Sequence, residues 1–403
     1  MTTEPALPAE RLELLENGEA FFPRVLDAIA AAREEVLLET FILAEDSVGQ
    51  ALHRALISAA DRGAKVSVTV DDYGSHLLSE GYVAGLRAAG VRFHRYAPAP
   101  TTFGVRTNVF RRLHRKLVTV DSRLAYIGGI NFCADHLRSF GPSSKQDYAA
   151  EIEGPVVLDI RALMQATLAR LGEALARRPM QRLRHRLQAL RQLPGTQLVY
   201  RDNELHRDDI ERHYRKAIRE ARREVLIANA YFFPSYLLLR ELAQAARRGV
   251  QVRLMLQGRP DLAVAQFAAR NLYDYLLRAG VIIHEFIERP FHGKVAVVDG
   301  EWATLGSSNL DPLSLALNLE ANIVSREAGF VADLRTHLDR LIREHCKRID
   351  TQQFEHKRGI GRQLIGGIAF HVLRHFPEWA GMDPGHTPTV VPAAAVAGRD
   401  ALQ

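Results

Sequence analysis

The feature that most constrains the fold of this chain is an internal repeat. Residues 32–38 (AREEVLL) are echoed by residues 221–227 (ARREVLI), and in both places a helix-like stretch runs into an apolar, strand-like one. The further echoes, in the same order, are ADRGAKV and ARRGVQV at residues 60–66 and 246–252, and LRAAGV and LRAGV at residues 86–91 and 277–281. Helix–glycine–strand junctions look alike in many α/β proteins. Three of them in the same order indicate a duplicated unit.

Each half alternates helical and strand-like hydrophobic periodicity. In the first half, helical patterns at residues 23–32 and 50–61 alternate with short β-branched runs such as residues 66–70. The second half shows the same alternation over residues 211–223, 236–247 and 250–256. Strands that alternate with helices are typical of layered α/β units. The fold class predicted is therefore α/β, with a largely parallel sheet in each half.

The repeat divides the chain into four predicted parts. We place a first half at 1–155, a basic helical connector at 156–199, a second half at 200–345 and a basic amphipathic tail at 346–403. Residues 177–191 carry six arginines and no acidic residue, which suits either a solvated helix or a surface that meets phosphates. Residues 358–376 resemble a helix lying in a membrane interface, or else a packing helix. The end past Pro388 is expected to be disordered.

Charge and composition narrow the class of partner. The 53 basic and 47 acidic side chains give a net charge of +6, which indicates an anionic partner but does not separate nucleic acid from lipid. Two cysteines cannot form a disulfide framework. The start lacks the layout of a signal peptide, and no apolar run approaches the ~20 residues that span a bilayer. We expect a cytoplasmic protein that is soluble or bound to a surface.

One polar pattern occurs once in each half. Its eight residues are His114, Lys116, Asp121 and Asn131 in the first half, and His292, Lys294, Asp299 and Asn309 in the second. Residues two apart on a strand point to the same face, so each histidine would act beside its lysine. The aspartates lie an odd number of residues from the lysines. They are expected to anchor backbone or neighbouring groups.

Two such sets facing each other would place two imidazoles, two ammonium groups and two carboxamides around one point. Phosphoryl transfer needs a nucleophile, a general acid on the opposite side and fixed donors for the phosphoryl oxygens. A lone His-x-Lys is usually a satisfied histidine beside a surface lysine. The whole pattern, found twice on the repeat, instead predicts one shared phosphodiester site.

These residues resemble the paired His-x-Lys-x4-Asp signatures of the phospholipase D superfamily, and their surroundings resemble its bacterial cardiolipin synthase branch. The closer match rests on residues 14–19 (LLENGE), 38–41 (LETF), 106–112 (RTNVFRR) and 318–322 (NLEAN). It extends from about residue 12 to about residue 388. The resemblance implies two phospholipase D-like α-β-α layered domains related by pseudo-twofold symmetry, with the active site at their interface.

The resemblance also implies an activity, which is phosphatidyl transfer between two phosphatidylglycerol molecules to give cardiolipin and glycerol. By analogy His114 attacks the phosphodiester and forms a phosphatidyl-histidine, while His292 acts as acid and then as base. The sequence itself permits the reverse order. Asp147 and Glu320, which lie where the family has an acidic residue in each half, would orient the histidines. The residues that would bind the phosphoryl oxygens are Lys116, Lys294, Asn131 and Asn309.

No metal ion or other cofactor is expected, because lysines already supply positive charge and exchange between phosphodiesters is nearly balanced in energy. Three alternatives stay open. The protein could be a phospholipase D or transphosphatidylase with another donor or alcohol, a nuclease that shares the chemistry, or an inactive scaffold that binds anionic lipid.

An insertion at residues 97–112, which has no counterpart in the second half, is the candidate substrate and membrane loop. Its basic and aromatic side chains suit an anionic headgroup at an interface, or a solvated loop that packs locally. The residues singled out are Arg106, Phe110, Arg111 and Arg112. We expect a peripheral protein on the cytoplasmic side of the cell membrane. Its partners would be phosphatidylglycerol and the membrane surface, with no nucleic acid; the sequence does not indicate the oligomeric state.

Overall fold

The computed structural model describes residues 10–98, 101–102, 105–106, 111–169, 195–259, 272–350 and 390–392. Several sequence predictions fall outside these ranges. They concern the six-arginine stretch at 177–191, the amphipathic segment at 358–376 and Phe110.

The first half is built on an eight-stranded sheet with the order β1-β9-β8-β7-β2-β3-β4-β18. Its strands are β1 (Arg11–Glu16), β2 (Glu35–Thr40), β3 (Lys65–Asp71), β4 (Arg92–Tyr96), β7 (Leu117–Val120), β8 (Leu124–Gly128), β9 (Tyr148–Glu153) and β18 (Val390–Pro392). A separate two-stranded ladder joins β5 (Thr101–Thr102) and β6 (Val105–Arg106). The helices are α1 (Asn17–Ala31), α2 (Ser47–Asp61), α3 (Glu80–Ala88) and α4 (Val156–Ala169), with short 3-10 helices at Ala134–His136 and Arg138–Phe140.

The second half repeats this sheet strand for strand, in the order β10-β16-β15-β14-β11-β12-β13-β17. Its strands are β10 (Gln197–Arg201), β11 (Glu224–Asn229), β12 (Gln251–Gln257), β13 (Ile282–Phe286), β14 (Lys294–Val298), β15 (Trp302–Gly306), β16 (Glu320–Ser325) and β17 (Cys346–Arg348). The helices are α5 (Asp209–Glu220), α6 (Tyr236–Arg247), α7 (272–278), α8 (Pro312–Ala316) and α9 (Ala328–His345).

The sheets are mixed, so the expectation of largely parallel sheets was wrong. Only β2, β3 and β4, and likewise β11, β12 and β13, run parallel to one another in the described part of the sheets. The physical reason is the length of the connections. Turns of three residues, at 121–123 and 299–301, connect β7 to β8 and β14 to β15. So short a turn can join only antiparallel strands.

Apart from a small cluster around Leu113 and Leu319, three apolar cores hold the described layers together. One lies between the first sheet and α1, α2 and α3, and a second lies between the second sheet and α5, α6 and α7. The third joins the halves, because it contains side chains of both sheets together with α4 and α9. Ile127 and Ile152 of the first sheet and Leu305 and Ile323 of the second are all at most 1% exposed in this shared core. The two sheets therefore form one folded unit.

Two of the parts predicted from the sequence contain a helix or a strand that belongs to the layered fold. The predicted connector 156–199 begins with α4, whose apolar side chains are buried in the shared core, and it ends inside β10. The predicted disordered end includes β18, which pairs antiparallel with β4 and buries Val390. Helix α4 thus completes the shared core and strand β18 completes the first sheet, which periodicity within one half could not reveal.

Within the described ranges, no helix combines the length and the apolar character that crossing a bilayer would require.

We predict that Ile160→Ala lowers the free energy of unfolding by about 2–5 kcal/mol, because Ile160 is fully buried in the shared core and its removal leaves a cavity. Leu158→Ala on the same helix is the matched control. Leu158 is 42% exposed, so its loss is expected to change stability by less than about 0.5 kcal/mol. Urea unfolding followed by circular dichroism measures both, and equal losses would contradict the burial of this helix between the sheets.

Candidate active site

Two short parallel bridges bring the halves together at the site. Leu113 pairs with Leu319, and Gln146 pairs with Phe291. The backbone N–H of His114 donates to the carbonyl of Leu319 at 3.0 Å, and the N–H of His292 donates to the carbonyl of Gln146 at 2.7 Å. Each bridge therefore sets the histidine segment of one half beside the chain that precedes the acidic residue of the other half.

The result is a pair of crossed histidine–carboxylate contacts. His114 Nδ1 lies 3.0 Å from Glu320 Oε1 and 3.1 Å from Oε2, and His292 Nδ1 lies 2.6 Å from Asp147 Oδ2. Both carboxylates are fully buried, whereas each histidine side chain keeps 13% of its surface exposed. An ionised carboxylate only accepts, so Nδ1–H donates in both pairs and each Nε2 is left for a ligand.

The two signature lysines are buried beside the histidines. Each Nζ donates to the carbonyl of the histidine two residues earlier, at 2.6 Å for Lys116 and His114, and likewise for Lys294 and His292. Burial lowers the pKa of Lys116 to about 7 and that of Lys294 to about 8. Arg115, between His114 and Lys116, lies on the other side of the chain in a buried ion pair with Glu39 at 3.0 Å. The side chains of residues 114–116 thus alternate between the two sides of the chain, as expected of an extended segment.

The electrostatics differ between the crossed pairs. Burial lowers the pKa of His114, and Glu320 opposes this effect. Burial alone would raise the pKa of Glu320, but His114 and Lys116 hold it below its usual value. The pKa of His292 is lowered well below its usual value by burial and by nearby lysines, and burial raises that of Asp147. The two pairs are alike in geometry and differ in the direction in which the pKa of the carboxylate is shifted.

The two signature amides are both buried. Asn131 accepts from the N–H of Ile42 at 3.1 Å through Oδ1. Among the described residues, no donor reaches Oδ1 of Asn309. In the second half, the backbone N–H of Leu310 donates to Oδ1 of Asn229, an amide outside the signature.

The signature aspartates lie at the far end of their strands. Asp121 and Asp299 adopt left-handed φ angles of 50° and 55° in the turns after β7 and β14. Asp121 accepts backbone N–H groups from Arg33, Glu34 and Glu35 at 2.8–3.3 Å, and Asp299 accepts those of residues 222–224 at 2.7–2.9 Å. These carboxylates tie each signature strand to the start of its neighbour and do not contact the histidines.

The last residue of the predicted substrate loop, Arg112, precedes the first signature histidine by two positions. Its guanidinium is buried, with Nη1 3.4 Å from Asp71 Oδ1 and the ring of Tyr73 centred 5.8 Å from Cζ. Arg111 takes a left-handed φ of 62°, and Arg106 ends the short strand β6.

Three residues at the site were not predicted from the sequence. Ser307 donates to Glu320 Oε2 at 2.5 Å, and the ring of Phe41 lies 5.0 Å from that of His114. His136 is fully buried, with its ring centred 5.7 Å from that of His292. His136 and Phe41 lie outside the repeated signature, so comparing the two halves could not find them. Ser307 stands where the first copy has glycine.

Two groups of side chains have donor atoms of the kind that hold transition metals. They are Cys133, Asp135 and His136, and His136, Asp147 and His292; within each group the donor atoms lie within 4.8 Å of one another. The carboxylates already have cationic neighbours. Lys145 Nζ lies 2.5 Å from Asp135 Oδ2, and Lys294 lowers the pKa of Asp147 against the effect of burial. We assign no metal ion to either group.

The chain folds into two α/β halves, and crossed histidine–carboxylate pairs and two lysines lie between them. This arrangement defines a two-domain protein of the phospholipase D type. The family model described as "Cardiolipin synthase, PLD-like domain" matches residues 25–167 and 214–342, and the chain belongs to this family. The resemblance and the repeated two-domain fold predicted from the sequence are thereby confirmed.

Curated relatives cover nearly the whole chain. Cardiolipin synthase B of Escherichia coli K12 is 51% identical over 381 residues, which are 94% of this chain and 91% of that protein. Cardiolipin synthase A of Pseudomonas putida is 33% identical over 378 residues, with 89% and 74% covered.

Solved structures share the fold at low identity. Phosphatidylserine synthase of Haemophilus influenzae superposes with a TM-score of 0.65 at 15% identity, covering 90% of this chain and 94% of that one. Polyphosphate kinase of Porphyromonas gingivalis gives a TM-score of 0.56 at 14% identity, covering 92% of this chain and 53% of that one.

We predict that Asp121→Asn lowers the free energy of unfolding by about 0.5–2 kcal/mol at pH 7, as for the loss of a capping carboxylate. Burial favours the neutral acid, but three backbone N–H groups hold the pKa of Asp121 below its usual value. The stabilisation is therefore complete above the unfolded pKa of about 4 and is lost as pH falls through the folded pKa. Asparagine tolerates the left-handed φ, so backbone strain does not confound the comparison.

Urea unfolding at several pH values checks this prediction, with the exposed Asp27→Asn as control. A difference from the wild type that did not shrink in acid would contradict the anchoring role.

Proposed function

We propose that this protein is a phosphatidyltransferase of the cardiolipin synthase type, which joins two phosphatidylglycerol molecules into cardiolipin and releases glycerol. The observation that carries the proposal is the pair of crossed histidine–carboxylate contacts beside two buried lysines. The extent of identity to cardiolipin synthase B supports the choice of lipid substrate.

The reaction proceeds in two displacements at phosphorus. His114 Nε2 attacks the phosphodiester of the first lipid, the bond from phosphorus to the glycerol oxygen breaks, and His292 gives its proton to the departing glycerol. In the second step His292 takes the proton from the glycerol hydroxyl of another phosphatidylglycerol. The oxygen of that hydroxyl then displaces His114. Protons balance over the cycle and one phosphodiester replaces another, so no cofactor drives the exchange.

The crossed contacts support this division of labour. Each carboxylate fixes its histidine through Nδ1, which orients the ring and keeps Nε2 free for attack or proton transfer. The histidines belong to opposite halves of a pseudo-twofold fold, so they reach a bound phosphate from two sides, as an attacking and a leaving oxygen require. Lys116, Lys294 and the amides of Asn131 and Asn309 bind the phosphoryl oxygens. An anion bound there would favour the charged form of both lysines.

Exposed apolar side chains near the site support action on a membrane surface. Asp71 at the end of β3 contacts Arg112, so the segment after β3 borders the site. This segment exposes 42% of Tyr73 and 81% of Leu77. In the second half, the start of α6 after β11 exposes 43% of Tyr236 and 49% of Leu237.

Apolar side chains of this kind enter the interface of a bilayer, and a net charge of +6 favours the anionic cytoplasmic leaflet. We place the protein peripherally on that face. Phosphatidylglycerol and the membrane surface would be its partners there, with Arg111 and Arg112 beside the headgroup.

Product analysis tests this function. Purified protein is incubated with vesicles of labelled phosphatidylglycerol in excess chelator, and the lipids are separated. Cardiolipin with an equal amount of glycerol is expected, and His114→Ala should abolish both. Phosphatidic acid would indicate a hydrolase, and a phosphatidyl ester of an added alcohol would indicate another acceptor. Cleavage of nucleic acid without lipid turnover, or no turnover at all, would refute the proposal.

We predict that Glu320→Gln lowers kcat by about 10²-fold or more without unfolding the protein. Glutamine keeps the size of the side chain, but it lacks the negative charge that orients His114 and stabilises the positive charge that its ring gains on attacking phosphorus. The control is Glu301→Gln, because the side chain of Glu301 is 67% exposed. An unchanged kcat in a Glu320→Gln protein with wild-type thermal unfolding would remove Glu320 from this role.

A further inference from the structure

One buried imidazole contacts three groups of the proposed site. His136 lies on the 3-10 helix Ala134–His136 and is 0% exposed. Its Nε2 accepts the backbone N–H of Asn131 at 3.2 Å, and its Nδ1 lies 3.8 Å from Asp147 Oδ2. The ring meets that of His292 edge to face at 69°, with 5.7 Å between centroids.

The contacts define the protonation state of this ring. Nε2 accepts a hydrogen bond from a backbone N–H, so in the neutral ring the proton is on Nδ1. Burial lowers the pKa of His136 to about 4, against the opposing pull of Asp147 and Asp135 and with the help of Lys145 and Lys294. The ring is therefore neutral at physiological pH. Its Nδ1 has no hydrogen-bond partner among the described residues, and Asp147 Oδ2 lies 3.8 Å away, beyond hydrogen-bond distance.

The other crossed pair is supported differently. Glu320 accepts the hydroxyl of Ser307, which follows Gly306 in the second signature. The corresponding residue of the first signature is Gly129, where an added Cβ would lie 2.3 Å from Asp147 Oδ1. The first half therefore has no room for a side chain at this position. His136 lies beside the Asp147 carboxylate and comes from outside the signature.

We propose that His136 is a positioning residue, which holds the Asp147 carboxylate and the His292 ring in the geometry for proton transfer and serves only this one of the two crossed pairs. The inference rests on the proposed phosphatidyl transfer. A positively charged His136 would lower the pKa of His292, so burial that keeps His136 neutral favours a proton on His292. With its proton on Nδ1, 3.8 Å from Asp147 Oδ2, the ring partly offsets the negative charge of that carboxylate and so limits how tightly His292 retains its proton.

Two substitutions separate the contacts of His136. His136→Asn keeps an N–H donor at the place of Nδ1, and His136→Gln keeps an acceptor at the place of Nε2 but loses the donor towards Asp147. We expect His136→Gln to lower kcat by about 10- to 100-fold with little change in KM. The limb of the pH profile that reports His292 should move upward by about one unit. His136→Asn should lose about threefold and keep the wild-type profile.

The matched control is His53→Gln. His53 is half-buried on α2, where Nε2 contacts the carbonyl of Tyr82 at 3.1 Å, away from the site. The His53→Gln substitution should change neither kcat nor the pH profile. Loss of activity in both His136 variants in proportion to lost thermal stability, with an unshifted profile, would make His136 merely structural and overturn the proposal.

Nitrogen NMR of protein labelled in its histidines tests the inference without turnover. Wild-type His136 should stay neutral and protonated on Nδ1 from pH 6 to pH 8. The titration midpoint of His292 should rise in His136→Gln and not in His136→Asn. A cationic His136, or one protonated on Nε2, would overturn the proposal even if neither variant folds. Absence of lipid turnover with the expected NMR result would refute the proposed function and leave the positioning of His292 intact.

Discussion

The crossed histidine–carboxylate contacts are the interaction on which the rest of the site depends. Glu320 of the second half holds His114 of the first, and Asp147 of the first holds His292 of the second. Neither half can therefore orient its own histidine. The contacts form only because the two sheets share an apolar core and two parallel bridges fix the register between the halves. Fold stability and the geometry of the site are thus coupled, since loosening the sheets would release both carboxylates.

Duplication leaves two similar units, but the chemistry proposed here needs them to differ. One histidine must attack while the other carries a proton. The side chains that differ lie next to the carboxylates. Ser307 donates to Glu320, whereas Gly129 leaves space that Asp147 requires, and His136 approaches Asp147 from a separate helix. The pKa of Glu320 is held low, and that of Asp147 is raised by burial. A symmetric backbone can therefore support an asymmetric reaction through a few neighbours of its acids.

Much of the fold was predictable because its signals are local. Periodicity and the repeated glycine junctions predicted two α/β units. The prediction of largely parallel sheets was wrong because strand direction depends on the length of each connection. The short turns at Asp121 and Asp299 reverse the chain, where a crossover helix would have kept it parallel. The strand Val390–Pro392 was missed for a related reason. It pairs with β4, which is distant in sequence, and three residues carry too little periodicity to indicate a partner.

The sequence by itself determined which residues make up the proposed site: two histidines, two lysines, two amides and an acidic residue in each half. It could do so because the signature is repeated and its spacing reflects the alternation of side chains along an extended chain. The tertiary structure alone decided which acid orients which histidine, and it brought His136 beside His292 and Asp147. Those contacts join residues more than a hundred positions apart, or side chains from different elements. They depend on how two sheets pack, and no local pattern in the chain encodes that.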